Sequence, residues 1–171
     1  VLRRMKRKYK NTKFVQTTGI IEEFRRSKTP EELRYFKRAQ KITHEILKRI
    51  PKALKTGVTE KGIEWMIASW AREFGADGLA FDSIVAFGTN TSCPHHHPTD
   101  RKLKKRDIVQ VDLGARYKGY CADKSRVFFV GKPTALQQEV YDIVKKAKDD
   151  ATNAIKPGVT NHRLDKIARE A

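Results

Sequence analysis

The chain has 171 residues, one third of them charged and 39% hydrophobic, a balance that suits a folded domain with its own core and excludes a disordered or fibrous chain. Against 20 acidic residues stand 37 Lys and Arg, a formal net charge of +17, so an anionic partner has to be weighed. No apolar run reaches the roughly 18–20 residues of a membrane helix, no signal-peptide core is visible at the start, and two cysteines, Cys93 and Cys121, fit neither a disulfide scaffold nor a zinc site. A cytoplasmic location with reduced thiols is the expectation.

Basic charge is densest at the start: Arg3, Arg4, Lys6, Arg7, Lys8, Lys10 and Lys13 precede any acid. Tyr9 and Phe14 would be able to stack on bases. The same charge also suits the solvated surface of a Lys-rich, heat-adapted protein, and no nucleic-acid motif accompanies it. SKTPEELRYFKRAQKITHEILKRI (27–50) predicts a helix: Thr29 as N-cap, Pro30 at N1 and Glu32 completing a capping box. Leu33, Phe36, Ile42, Ile46, Leu47 and Ile50 form its apolar stripe. A second helix is capped by Thr59, carries Ile63, Met66, Ile67 and Trp70 inward, and ends at Gly75.

LAFDSIVAFGTN (79–90) predicts a buried strand running into a turn. CPHHHPTDRKLKKRD (93–107) is a polar loop, because its two prolines exclude a regular element. IVQVDLGARYKGYCADKSRVFFVG (108–131) predicts two strands around a turn at Arg116–Gly119, after which 134–156 and 157–171 return to helix. LKTGVTEKGIE (54–64) and IKPGVTNHRLD (155–165) share Lys-x-Gly-Val-Thr at a separation of 101 residues. With helices on both sides of each copy, this points to an internal repeat of helix, turn, helix and strands.

The hairpin holds the sharpest chemical signal. Pairing Ala115 with Tyr120 and Gly114 with Cys121 places Asp112 directly opposite Asp123, on one face and about 5 Å apart at Cβ. Among Val109, Val111, Leu113, Val127 and Phe128, two such carboxylates must share a proton or hold a cation. Oxygen ligands suit Mn²⁺, Mg²⁺ or Ca²⁺, and with imidazole also Co²⁺, Zn²⁺ or Fe²⁺. Two other arrangements remain open: exposed acids paired with Lys118, Lys124 or Arg126, or a bulge at Gly114 or Gly119 that separates them. One of His95, His96 and His97, fixed between Pro94 and Pro98, would be able to polarise a substrate or carry a proton. No nucleophile elbow, P-loop or dinucleotide fingerprint is present.

FDSIVAFGTNTSCPHHHPTDRKLKKRDIVQVDLGARYKGYCADKSRVFFVG (81–131) resembles the metal-dependent aminopeptidases of the pita-bread fold, and the Xaa-Pro aminopeptidase and prolidase branch more than the methionine aminopeptidase branch. The ordered Pro-His, Asp-x-Gly-Ala and Gly-Tyr-x-x-Asp carry the resemblance, which runs from about Glu22 to the end. It implies an α+β pita-bread fold in two pseudo-symmetric halves, with residues 22–171 a partial catalytic domain and 1–21 the tail of an N-terminal domain or a basic arm. It further implies two divalent metal ions (Mn, Co or Zn) on five side chains, of which Asp112 and Asp123 are here and one histidine and two glutamates are not. His95 matches the histidine that contacts substrate and stabilises the reacting carbonyl. His96 and His97 receive no role. The implied reaction is release of an N-terminal residue, chiefly from Xaa-Pro peptides, by a hydroxide activated between two metals, with a second copy of the enzyme as a candidate partner in a homodimer; with two of five ligands this chain by itself is expected to be inactive. The rival expectation is an inactive pita-bread interaction module with a basic RNA- or ribosome-binding arm. Lys124 and Ser125 depart from the family pattern of an apolar residue and Thr before Arg126.

Overall fold

The computed structural model describes residues 1–171. Six helices and six strands follow in the order α1 (Leu2–Lys8), α2 (Ile20–Arg26), α3 (Pro30–Ala53), α4 (Glu60–Glu73), β1 (Gly78–Leu79), β2 (Ile84–Phe87), β3 (Ile108–Leu113), β4 (Ala115–Tyr117), β5 (Tyr120–Cys121), β6 (Lys124–Phe129), α5 (Ala135–Asn153) and α6 (Asn161–Arg169). A short 3-10 turn covers Gly88–Ser92. No helix is long and apolar enough to cross a membrane.

The long helix α3 starts as its residues demand. Thr29 Oγ1 accepts from Glu32 N at 3.3 Å, and Glu32 Oε2 accepts from Thr29 N at 2.7 Å, a complete capping box with Pro30 at N1. The helix then continues past Ile50 and through Pro51 to Ala53. It buries Ala39, Ile42, Thr43, Ile46, Leu47 and Ile50, whereas Leu33 and Phe36, expected on the same stripe, stand 42% and 39% exposed near its N-terminal end. Helix α4, capped by Thr59 through Gly62 N at 3.0 Å, buries Ile63, Ile67 and Ala71 and ends before Gly75, which takes a left-handed φ of 84°. Met66, expected inside, is 37% exposed.

Two small antiparallel sheets, ordered β1-β4-β5 and β2-β3-β6, share the chain passing from β3 through Gly114 into β4. The expected strand over 79–90 is therefore two pieces: Leu79 pairs with Ala115 in one sheet, and Ile84–Phe87 pairs with Asp112–Val109 in the other. On β3 the side chains of Val109, Val111 and Leu113 are fully buried and alternate with half-buried Ile108, Gln110 and Asp112. The strand is dry on one face only. That face joins Val85, Phe87 and Ala115 under the apolar sides of α3 and α4 to form the core, where each large side chain contributes about 1.5–3 kcal/mol by leaving water. Thr43 ties helix to sheet: its buried Oγ1 donates to Ala39 O at 3.0 Å and accepts from Ala115 N at 2.9 Å.

At the join between the sheets there is no room for a side chain. A Cβ on Gly114 would come closer than 3.0 Å to the carbonyl of Ala122, a backbone group that cannot swing away. Gly114→Ala therefore costs several kcal/mol, at the severe end of single substitutions; thermal melting with unchanged stability would refute this close approach.

Helices α4 and α6 start 101 residues apart behind Thr59 and Thr160, which cap them in the same way. The repeat is imperfect before that point, since α3 has 24 residues and α5 has 19. Helix α5 buries none of its residues, and Leu136, Val140, Ile143 and Val144 are more than half exposed.

Candidate metal and peptidase site

The turn between β4 and β5 is tighter than the expected Arg116–Gly119. Tyr117 pairs with Tyr120 and Arg116 with Cys121 around a two-residue turn, in which Lys118 and Gly119 both take left-handed φ, 51° and 82°. Asp77 Oδ2 accepts from Lys118 N at 2.6 Å and holds that turn. Lys-Gly lacks the usual Asn-Gly or Asp-Gly signature of such a turn, so the sequence did not announce it. The whole ladder shifts by two residues: Asp112 lies opposite Ser125, not Asp123. The register is the same on both sides of Gly114, so no bulge intervenes.

The two carboxylates meet all the same, diagonally across the ladder, a separation of about 7–8 Å between backbones that side chains span. Partial loss of water, then the charge of Asp112 and the proton the two groups would share, push the Asp123 carboxyl above its ordinary value. Asp123 as a whole is exposed, and the repulsion from Asp112 is the cause that survives this exposure. Asp112 Oδ1 is buried without a hydrogen-bond partner. The cations nearest in sequence do not answer either acid: Arg126 donates to Ser125 O, Lys118 offers only its backbone N–H, to Asp77, and no ion pair of the chain involves Asp112 or Asp123. A desolvated, unanswered oxygen beside a second carboxylate fits a divalent cation, whose charge removes both penalties at once. The pair is only part of a ligand set, since no three His, Cys, Asp or Glu side chains converge anywhere in the chain.

Of the histidines, His95 and His97 are exposed. His96 is not: its Nε2 lies 2.9 Å from Oε2 of Glu60. Glu60, at the first position of α4, is fully buried. Its Oε1 accepts from Phe87 N and Asn90 Nδ2, both at 2.8 Å, and its Oε2 accepts from Thr99 N at 2.9 Å and Thr99 Oγ1 at 2.6 Å. Burial alone would raise this carboxyl, but the hydrogen bonds from Thr99, His96, Phe87 and Asn90 outweigh it and hold it down at about 2. The sequence reading missed Glu60 and His96. An acid immediately behind an N-cap looks like an ordinary response to the helix dipole.

A second clip closes the same loop. Arg101 Nη1 and Nη2 donate to Asp107 at 2.8 and 3.2 Å, and this pair lies against Gly88, where a Cβ would overlap both side chains. Beside the hairpin turn, Tyr120 donates from its hydroxyl to Glu32 Oε1 at 2.7 Å, which ties the turn to the start of α3.

Residues 34–171 match the model of metallopeptidase family M24, and the chain belongs to that family. Family membership implies a divalent-metal cofactor. Among curated relatives, an uncharacterised peptidase of Staphylococcus saprophyticus is 38% identical over 159 residues, 91% of this chain and 45% of the relative. The uncharacterised peptidase YqhT of Bacillus subtilis is 33% identical over 94% of this chain and 45% of its own length. The chain thus spans about half the length of the curated relatives it matches. Among solved structures, an X-Pro aminopeptidase from Thermotoga maritima superimposes with a TM-score of 0.92 at 34% identity, over 99% of this chain and 48% of that one. The prolidase from Pyrococcus furiosus does so with 0.90 at 32%, over 98% and 50%. The fold is accordingly the pita-bread fold.

Proposed function

We propose that this chain forms the Asp112–Asp123 half of the catalytic centre of an aminopeptidase that releases the N-terminal residue of a peptide, with Xaa-Pro peptides as its preferred class. The observation that carries the reading is the carboxylate pair with a buried, unpartnered oxygen and no cation of the protein beside it. The substrate preference rests on likeness to an X-Pro aminopeptidase and a prolidase.

Asp112 and Asp123 would hold two divalent ions together with a histidine and two glutamates that this chain does not supply; Mn, Co and Zn suit that ligand set. Bound there, such ions supply Lewis acidity, lowering the pKa of water and polarising the scissile carbonyl. The half-buried position of Asp112 withholds part of its carboxylate from bulk water and leaves Oδ1 without a hydrogen-bond partner. His95 lies exposed on its loop; in this reading its imidazole would donate to the oxygen that gains charge during the reaction.

The 171-residue chain alone supplies two ligands, so it shows no measurable turnover of an Ala-Pro dipeptide or a longer Xaa-Pro peptide, while the enzyme assembled with the remaining ligands turns both over when Mn²⁺, Co²⁺ or Zn²⁺ is added. Turnover by the chain alone would overturn the ligand count. An assembled enzyme idle on every peptide would overturn the function. A second reading has one observation behind it: residues 1–13 are basic, lack any acid and are exposed throughout, which suits RNA. A gel shift that weakens steeply with salt, in a sample without bound metal, would favour it.

A further inference from the structure

The loop that carries His95 is tied down by a fully buried carboxylate. Five hydrogen bonds converge on Glu60, from the end of β2 at Phe87, from Asn90 in the 3-10 turn, and from His96 and Thr99 in the loop itself. The carboxylate also settles the state of the His96 ring. Nε2 must carry a hydrogen to donate to the Glu60 carboxylate, and Asn90 Nδ2, 3.3 Å from the same nitrogen, is a donor only and so can accept nothing from it. His96 is therefore a strut, fixed at one end in a site 13% exposed at its side chain, with His95 next to it in the chain.

The repeat shows that this acid serves the loop and not the helix. Helix α6 begins behind Thr160 with the same cap as α4 behind Thr59, yet the residue corresponding to Glu60 is Asn161, which is exposed. A cap of this type forms without a buried carboxylate.

Resting on the peptidase reading above, we infer that Glu60 and His96 are positioning residues: the pair fixes the orientation of His95 toward the peptide carbonyl. Neither touches substrate. Their loss acts through the freedom it gives His95.

The test has two arms. In the 171-residue chain with ¹⁵N-labelled histidine rings, wild type gives His96 as the Nε2–H tautomer and a single narrow ring signal for His95. Glu60→Gln and His96→Leu broaden or split the His95 signal, while His96→Gln, whose amide can donate to Glu60 from nearly the same place, keeps it single. In the assembled enzyme, His96→Leu lowers kcat on an Xaa-Pro peptide about 10–100-fold, leaves the metal concentration for half-activation in place, and is largely rescued by His96→Gln. Should Glu60→Gln not fold, the His96 pair decides the matter alone. A His95 signal and a kcat unmoved by His96→Leu would overturn the inference. An idle wild-type enzyme would instead sink the peptidase reading, and the ring spectra would still test the positioning.

Discussion

Exchanging Asp112 or Asp123 for Asn lowers peptide turnover by the assembled enzyme more than about 100-fold, beyond the 10–100-fold typical of residues one shell further out from a metal. The physical reason lies in the carboxylate pair. Each acid supplies negative charge that the other makes costly, and a divalent ion is what reverses the sign of that cost. The Asp123 substitution has an opposite effect on the metal-free fold. Asp123 holds its proton more tightly folded than unfolded, because of lost water and then the charge of Asp112. Its ionised form therefore weakens the fold, and that penalty appears as pH rises through the folded value and fades as pH falls below it. Asp123→Asn removes the penalty, so at pH 7 the metal-free variant melts no lower than wild type. A divalent ion raises the melting temperature of wild type and not of the variant. Full turnover in both Asn variants would remove these residues from the site, and equal metal shifts in variant and wild type would show that the ion binds elsewhere.

Glu60→Ala destabilises the chain by about 3–5 kcal/mol, the range for breaking a buried charged network by removing one partner. The backbone N–H groups of Phe87 and Thr99 lose their acceptor together with Asn90 and His96. The pH dependence follows from the same bonds. Holding the carboxyl at about 2 when its ordinary value is 4.5 corresponds to about 3 kcal/mol of stability. Because the folded value is depressed, this contribution is complete above the ordinary value and disappears as pH falls from there through about 2. Acid unfolding of wild type is steeper in that window than that of Glu60→Gln, which has no proton to gain. Superimposable acid-unfolding curves would mean that the carboxylate contributes nothing as a charge.

The sequence by itself determined the elements whose causes are local. Thr29 and Glu32 complete each other's hydrogen bonds with Pro30 between them, so the start of α3 needed no tertiary information; Thr59 announced α4 by a one-sided cap, and the shared Lys-x-Gly-Val-Thr marked the start of α6. The motifs around Pro94-His95, Asp112 and Asp123 were legible as a family pattern, and the family is the one the chain belongs to. Whatever depended on partners distant in the chain was decided by the fold. Leu33 and Phe36 have the right spacing for an apolar stripe, but at that end of α3 the β4–β5 hairpin packs on Glu32 and Tyr35 and leaves them exposed. The hairpin register depended on a Lys118-Gly119 turn held by Asp77, 41 residues away, so the two aspartates meet diagonally where direct opposition was expected. Glu60 shows the limit most plainly. Next to Thr59 it is an acid at a helix start, and only the arrival of Phe87, Asn90, His96 and Thr99 makes it the buried anchor of the His95 loop, because a carboxylate's role is set by the donors that surround it and those donors come from across the chain.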